Sequence, residues 1–172
     1  MKRALIVGRF QPYHSGHHEA IKNILKEADE LIIVVGSSDE SHKAENPFTA
    51  GERIEMISIA LKEEKLFEKC FIIPVADVHE NSIWVSKIKS YCPKFDVVYT
   101  NNPLVKQLFE TSGLEVKKMV SKLKDVDGVK IRKAILSGDE WSGLVPDAVK
   151  DYLKKIKAAE RISAIVEKEQ KE

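Results

Sequence analysis

Short apolar runs alternate along the chain with segments in which apolar residues recur at helical spacing. The first run, Ala4–Gly8, is continuously apolar, which is typical of a strand buried on both faces of a parallel sheet. The segment from Ala20 to Ala28 repeats apolar residues every three or four positions, which predicts a helix. Leu31–Gly36 is a second buried run. Residues 4–36 therefore predict a β-loop-α-β unit with a right-handed crossover.

The same criteria predict the remaining elements. Further strands are expected at Phe71–Val75, Phe95–Thr100 and, nearer an edge, Leu114–Val120. Helices are expected at Ile54–Leu61, Ser82–Tyr91, Pro103–Phe109, Val129–Leu136, Pro146–Ile156 and Ala158–Glu169. Thr49 and Glu52 have the spacing of a capping box before the first of these helices. Asn101 or Asn102 is expected to cap the helix that begins at Pro103. Ile83, Trp84 and Ile88 are expected to face inward.

The alternation of strands and helices predicts an α/β fold. We expect a Rossmann-like, doubly wound parallel sheet of about five strands followed by a C-terminal helical segment. No linker or repeat divides the sequence, so we expect a single domain over residues 1–172, with an α/β core at 1–125 and a helical part at 126–172. In such sheets, ligands bind beyond the carboxyl ends of the strands.

Composition and charge narrow the function. Hydrophobic residues make up 43% and charged residues 32%, with a net charge of +1, so the sequence predicts a globular protein without a nucleic-acid partner. The two cysteines, Cys70 and Cys92, are far apart, which predicts reduced, buried thiols rather than a zinc site. The apolar run at the start is too short for a signal peptide or a membrane span, so we expect a cytoplasmic protein without a membrane partner.

A candidate phosphate site follows the first strand. Residues 9–17 come directly after Gly8 and before a predicted helix, where unpaired amides and the helix dipole favour anions. His14 and His17 are three residues apart and can face one ligand, while Gly16 lets the backbone come close to a phosphate. His18 is expected to lie outside direct ligand contact. Neither a dinucleotide-binding glycine motif nor a P-loop occurs.

The loop Gly-Arg-Phe-Gln-Pro-Tyr-His-Ser-Gly-His at 8–17 resembles the signature of the HxGH nucleotidyltransferase superfamily. Over nearly its whole length the chain resembles the archaeal nicotinamide mononucleotide (NMN) adenylyltransferases. The segments that carry this closer resemblance are 46–53, 73–77, Asn81 with 84–85, 102–105, 130–132 and 160–162.

This resemblance implies that AMP is transferred from ATP to NMN by direct in-line attack, giving NAD and pyrophosphate. It assigns catalysis to His14, His17 and Arg132. Contacts to ATP are implied for Gly8, Arg9, Phe10, Gly16, Asn101, Asn102 and Val129. Contacts to NMN are implied for Gly36, Ser37, Asp77, Asn81 and Trp84. Mg²⁺ is expected to arrive on the ATP phosphates, without protein metal ligands. The resemblance also implies a homo-oligomer, since family members are often hexamers.

Two positions depart from the family pattern. Glu45 stands where a basic residue is usual, with Lys43 and His42 as replacements in the same loop. Asp127-Gly128-Val129 replaces the usual Ser-Gly-Thr, so a hydroxyl is lost at Val129 while Asp127 can still cap the helix.

Alternatives to NMN adenylyl transfer stay open at this point. Another HxGH enzyme, such as a pantetheine-phosphate adenylyltransferase or a cytidylyltransferase, would share the histidine loop. A non-catalytic nucleotide sensor is a third alternative. From its pattern alone, Trp84 fits core packing better than ligand binding, and the resemblance reverses that preference.

Overall fold

The computed structural model describes residues 1–78, 80–123 and 125–171. Its centre is a five-stranded sheet in the order β3-β2-β1-β4-β5, and all the paired strands are parallel. The strands are β1 (Arg3–Gly8), β2 (Glu30–Val35), β3 (Cys70–Pro74), β4 (Val97–Tyr99) and β5 (Glu115–Lys117). The predicted α/β fold with a parallel sheet is confirmed, and the fifth strand lies at an edge as predicted.

Seven helices accompany the sheet within the described residues. They are α1 (Ser15–Ile24), α2 (Ala50–Glu63), α3 (Asn81–Tyr91), α4 (Pro103–Thr111), α5 (Gly128–Ser137), α6 (Asp147–Lys155) and α7 (Ala158–Glu169), with short 3-10 turns at Phe67–Lys69 and Ser142–Leu144. The capping box that begins α2 is present, with both reciprocal bonds between Thr49 and Glu52. Asn102, not Asn101, caps α4, and Asp127 caps α5.

The strand order fixes where ligands can bind. The chain runs outward from β1 through β2 to β3, then returns to the other side of β1 for β4 and β5. The direction of winding therefore reverses between β1 and β4. A crevice forms at such a reversal, beyond the carboxyl ends of the strands, so the loops that follow β1, β2 and β4 meet there.

Each face of the sheet has its own apolar core. Alternate residues of the central strands, such as Leu5 and Ile6, belong to opposite clusters. The larger cluster packs α1, α2 and the C-terminal helices against one face. The smaller one includes Val85 and Ile88 of α3 and Phe109 of α4 on the other. Because the helices cover both faces, the central strands are continuously apolar after their first residues, Arg3 and Glu30, which explains their apolar runs.

Some local predictions were wrong. The side chain of Ile83 is 51% exposed rather than inward, because the helix face that packs on the sheet carries Trp84, Val85 and Ile88 instead. Cys70 and Cys92 are free, as predicted, but only partly buried. Burial nevertheless raises the thiol pKa of Cys70 to about 12 and that of Cys92 to about 11. No described helix is long and apolar enough to cross a membrane.

Candidate active site

The loop after β1 and the start of α5 meet at the carboxyl edge of the sheet. Arg132 of α5 donates from Nη1 to the carbonyl oxygen of Gln11 over 2.6 Å. A Cβ atom on Gly128 would lie 2.8 Å from that same oxygen, so a larger residue there would force the two segments apart. The glycine of the Asp127-Gly128-Val129 segment is therefore needed for α5 to lie against the histidine loop.

His14 and His17 form a stacked pair at the beginning of α1. His14 is the N-cap residue, and its Nδ1 accepts a hydrogen bond from the backbone N–H of His17 over 3.3 Å. The two rings lie 3.6 Å apart, with 23° between their planes. A Cβ atom on Gly16 would lie 3.1 Å from the His14 ring, so the glycine makes room for it. Because Nδ1 accepts, a neutral His14 carries its proton on Nε2.

Both histidines are neutral at neutral pH. Burial lowers the pKa of His14 to about 4, although Asp127 opposes the change. Burial, and then the neighbouring His14, lower the pKa of His17 well below its usual value. His17 Nδ1 is buried and has no hydrogen-bond partner among the described residues. The pair can therefore offer N–H groups to an anion without carrying a net charge, and one buried polar atom is left for a ligand to satisfy.

Two guanidinium groups belong to or bind the loop of this pair, those of Arg9 and Arg132. The Arg9 side chain is exposed and lies 3.9 Å from the Glu45 carboxylate. Arg132 also donates from Nε to the carbonyl oxygen of Ala44 over 3.1 Å. Burial, and then the charge of Arg9, lower the pKa of Arg132. The carboxylate at the position where the family usually has a base thus contacts one of the cations that would bind phosphate.

Arg9, but not His14, His17 or Arg132, lines a cleft of about 490 Å³. Its lining includes Arg9, Ser37, Glu45, Asn46 and Asp77. The structure thus brings together Arg9 and two of the residues predicted for NMN, Ser37 and Asp77. Gly36 immediately precedes Ser37, and its amide donates to the Gly8 carbonyl oxygen over 2.9 Å.

The other predicted NMN residues lie on α3. Asn81 is the exposed first residue of this helix, and Trp84 lies one turn further. The Trp84 ring packs edge-on against Phe109 at 5.5 Å and remains partly exposed. Neither residue lines the cleft of Arg9 and Asp77. Trp84 therefore does pack against the core, as its pattern indicates, while keeping surface on which a ligand could stack.

The residues predicted for adenosine lie after β4. Asn101 and Asn102 line a second cleft, of about 330 Å³, together with Lys106 of α4. Asn102 accepts from two amides of α4, and Asn101 donates to the carbonyl oxygen of Met119 over 3.1 Å. Both side chains thus have structural bonds. Val129 lies on the first turn of α5 and is 48% exposed.

Two residues in segments that carry the family resemblance have a role that the sequence did not predict. Arg53 of α2 is completely buried. Its guanidinium donates to backbone carbonyl oxygens after β1 and β2: those of Arg9 (2.9 Å), Gly36 (2.7 Å), Ser37 (3.0 Å) and, at its own helix start, Thr49 (3.2 Å). The sequence did contain one indication: Arg53 lies four residues before Ile57, so it falls on the apolar face of the predicted helix, where a cation is unusual.

Gln11 is the second. Its side-chain amide donates to the carbonyl oxygen of Phe48 over 2.8 Å and accepts from the Phe48 amide over 3.0 Å. This two-bond pair joins the histidine loop to the segment that precedes α2. With Arg53, it fixes the two loops relative to each other.

Comparisons with known proteins agree with this geometry. A model of the cytidylyltransferase-like family matches residues 5–166. The chain is 48% identical to a nicotinamide-nucleotide adenylyltransferase of Archaeoglobus fulgidus, covering 95% of this chain and 97% of that protein. It is 46% identical to one of Halobacterium salinarum, covering 97% and 94%.

Solved structures share the fold. A bifunctional NMN adenylyltransferase/ADP-ribose pyrophosphatase of Francisella tularensis, complexed with AMP and a manganese ion, superimposes with a TM-score of 0.84 at 19% identity. The match covers 98% of this chain and 53% of that one, so this chain spans about half the length of the Francisella protein. A Vibrio parahaemolyticus protein provisionally named nicotinate-nucleotide adenylyltransferase superimposes with a TM-score of 0.63 at 18% identity. The match covers 89% of this chain and 99% of that one.

The winding of the sheet, the histidine pair at its switch point and the family match define an enzyme of the nucleotidyltransferase class. Within that class, the chain belongs to the family of archaeal nicotinamide-nucleotide adenylyltransferases. The resemblance seen in the sequence is thereby confirmed.

Proposed function

We propose that the enzyme transfers the AMP group of ATP to NMN, forming NAD and pyrophosphate. The observation that carries this proposal is the stacked, neutral pair His14 and His17 at the N-terminus of α1, in the loop that also carries Arg9 and that Arg132 binds at Gln11. Such a cluster suits a triphosphate, because helix-end amides, N–H donors and guanidinium groups all favour anions.

The reaction needs positioning and charge stabilisation. A phosphate oxygen of NMN attacks the α-phosphorus of ATP, and the bond from that phosphorus to the bridging oxygen breaks as pyrophosphate leaves. Negative charge then grows on the leaving group, where N–H groups of His14 and His17 and the guanidinium groups of Arg9 and Arg132 would stabilise it. Because the pKa of both histidines is low, they act as hydrogen-bond donors and not as acids.

The rest of the predicted ATP site follows from this placement. Gly8, Phe10 and Gly16 shape the loop under the triphosphate, with the Phe10 ring packed over Gly8. Asn101 and Asn102 would bound the adenosine from the cleft after β4. We assign Val129 a backbone contact, since its amide is at the beginning of α5, where helix amides are free to bind anions.

Magnesium is the divalent metal that we propose for the reaction. Among the described residues, no group of three or more His, Cys, Asp or Glu side chains could hold a metal ion. We propose that the ion is carried by the triphosphate oxygens, as Mg²⁺ commonly is. It would supply charge neutralisation on those oxygens. The protein's own part is to hold the phosphates through His14, His17, Arg9 and Arg132.

NMN would bind between the ends of β2 and β3. Gly36, Ser37 and Asp77 offer backbone and side-chain groups for its ribose and phosphate, and Asn81 offers an amide at the start of α3. Trp84 would stack on the pyridinium ring, which is a flat cation and suits an aromatic face.

We further propose that residues 1–172 form one domain that works as a homo-oligomer in the cytoplasm, with hexamers as the first state to test. The bonds from Arg132 to Gln11 and Ala44 support the single domain, because they tie the helical part to the core. Small molecules, and not nucleic acids, would be the partners. Light scattering measures the mass of the assembly directly.

A substrate panel tests the proposed reaction. Purified protein is incubated with ATP and Mg²⁺ together with NMN or phosphopantetheine, or with CTP and a phosphoalcohol, while pyrophosphate and NAD are measured. We expect pyrophosphate only with NMN, matched mole for mole by NAD. Product from another pair would identify a different HxGH transferase, and no product from any pair would favour a nucleotide sensor.

A single substitution tests the histidine pair. His17→Ala should lower kcat by about 100-fold or more, because it removes a donor aimed at the developing charge. Circular dichroism should show an unchanged fold. Lys26→Ala, beyond the other end of α1, serves as the control. Near-normal turnover by His17→Ala would remove His17 from the mechanism.

A further inference from the structure

The histidine pair is the outer part of a column of three rings. His17 lies between His14 and Tyr13, with 5.8 Å and 17° separating the rings of Tyr13 and His17. Tyr13 is completely buried. The Phe10 ring meets His17 edge-on at 4.7 Å and also lies 6.0 Å from the Tyr13 ring. The position of the His17 ring therefore depends in part on how firmly the Tyr13 ring behind it is held.

A chain of hydrogen bonds holds the Tyr13 hydroxyl. The hydroxyl bonds to His18 Nδ1 over 2.9 Å, and His18 Nε2 bonds to a Glu64 carboxylate oxygen over 3.0 Å. The second carboxylate oxygen of Glu64 lies 2.6 Å from Lys22 Nζ. The chain thus runs from the protein surface, where α1 meets the end of α2, to a fully buried ring.

The direction of each bond in the chain is fixed. Lys22 and His18 lower the pKa of Glu64, so its carboxylate is ionised and can only accept. His18 Nε2 therefore donates, and in the tautomer that carries its proton on Nε2 the Nδ1 atom accepts from the Tyr13 hydroxyl. Burial raises the pKa of Tyr13, which keeps that hydroxyl protonated. Every donor in the chain has an acceptor, and the buried phenol has a partner that it would otherwise lack.

We propose that Glu64 and His18 are positioning residues that act through Tyr13 to hold the His17 ring in place for nucleotidyl transfer. This proposal rests on the function proposed above for His17. Donors must meet the developing charge within a narrow range of positions, and a displacement of about 1 Å can cost about 100-fold in rate. Glu64 does not line the cleft of Arg9 and Asp77, and the described contact that leads from it toward His17 is the hydrogen-bond chain through His18 and Tyr13.

Two conservative substitutions test the chain. Glu64→Gln keeps the size of the side chain but replaces the ionised acceptor, and Tyr13→Phe removes only the hydroxyl. Each should lower kcat about tenfold with the KM values for ATP and NMN within about twofold of wild type. The double variant should be no slower than the single ones, because both break the same chain. Glu63→Gln, at the last position of α2, is the matched control and should keep wild-type kinetics.

Imidazole ¹⁵N NMR gives a readout that does not depend on activity. The His17 ring resonances should shift in Glu64→Gln and in Tyr13→Phe, and stay in place in Glu63→Gln. Wild-type kcat in both test variants, additive losses in the double variant, or unshifted His17 resonances would each overturn the proposal. If the wild-type protein makes no NAD, the proposed function fails instead, and the NMR shifts still decide whether the chain positions His17.

Discussion

Removing the buried guanidinium of Arg53 should destabilise the whole protein. Arg53→Met preserves most of the side-chain volume but leaves the carbonyl oxygens of Arg9, Gly36 and Glu40 without their donor. The carbonyl oxygens of Ser37 and Thr49 keep the backbone amides of Glu40 and Arg53. At about 1 kcal/mol for each unpaired carbonyl, the loss is about 3 kcal/mol. This is a large part of the roughly 5–15 kcal/mol that stabilises a typical domain.

The backbone near Arg53 adds to this expectation. Phe10 and Ser37 both adopt positive φ values, 53° and 47°, which side-chain-bearing residues rarely adopt. They lie one residue beyond Arg9 and Gly36, whose carbonyls Arg53 binds, and Ser37 is itself a partner. Bonds to Arg53 therefore help to hold two strained turns at the ends of β1 and β2. Without them, the loops can relax and the cleft loses its shape.

Urea unfolding followed by circular dichroism measures the effect. Arg53→Lys keeps the charge but has fewer donors and no planar fork, so it should lose about half as much free energy as Arg53→Met. Glu55→Gln, on the exposed side of the same helix, should change stability by less than about 0.5 kcal/mol. If Arg53→Met loses less than about 1 kcal/mol, water or a shifted neighbour satisfies the carbonyls, and the assigned role of Arg53 is refuted.

Three further predictions concern the ligand sites and pH. Trp84→Ala should raise the KM for NMN more than that for ATP, with Trp84→Phe in between; an unchanged KM for NMN would leave Trp84 a packing residue only. Glu45→Lys should lower the KM for ATP by about two- to fivefold at low salt, since it frees Arg9 and adds a cation, and an equal effect at high salt would argue against an electrostatic cause. Burial lowers the pKa of His14 in the folded protein to about 4, whereas the same side chain in the unfolded chain binds a proton below about pH 6.5. Between these pH values only the unfolded state is protonated at this site, so the free energy of unfolding should fall by up to about 3 kcal/mol as the pH is lowered through this range. Urea unfolding at several pH values should show a shallower fall in His14→Gln, and an identical fall would assign the acid sensitivity to other groups.

The sheet was predictable because its central strands are apolar on both faces. The continuous runs around Leu5 and Ile32 have this pattern, and both became long central strands. The last two strands were predicted too long. The predicted strand Phe95–Thr100 is reduced to Val97–Tyr99, and Leu114–Val120 is reduced to Glu115–Lys117, the three residues that pair with β4. Strand length there depends on the partner strand, which a local pattern does not contain.

The candidate site was predictable where it is contiguous in sequence. His14 and His17 lie in one loop, so their spacing and the helix that follows already indicated a shared ligand. Arg53 could not be placed in this way, because its partners are backbone carbonyl oxygens from three separate segments and any residue type supplies them. Trp84 is a third case. Its ring packs against Phe109 and also keeps an exposed surface, so its position in the helical pattern cannot distinguish a packing residue from a ligand-binding one.

The peptide groups of Ala44 and Gln11 have a consequence for how the protein is made. The Ala44 amide is bonded to the Glu169 side chain, 125 residues further along, and Gln11 accepts from Arg132 across 121 residues. Contacts of such long range are costly in loop entropy and form late in folding. A nascent chain that has released only its sheet from the ribosome would therefore have its histidines, but the contacts to Arg132 and Glu169 that complete the surrounding loops would form only after those residues have been released as well.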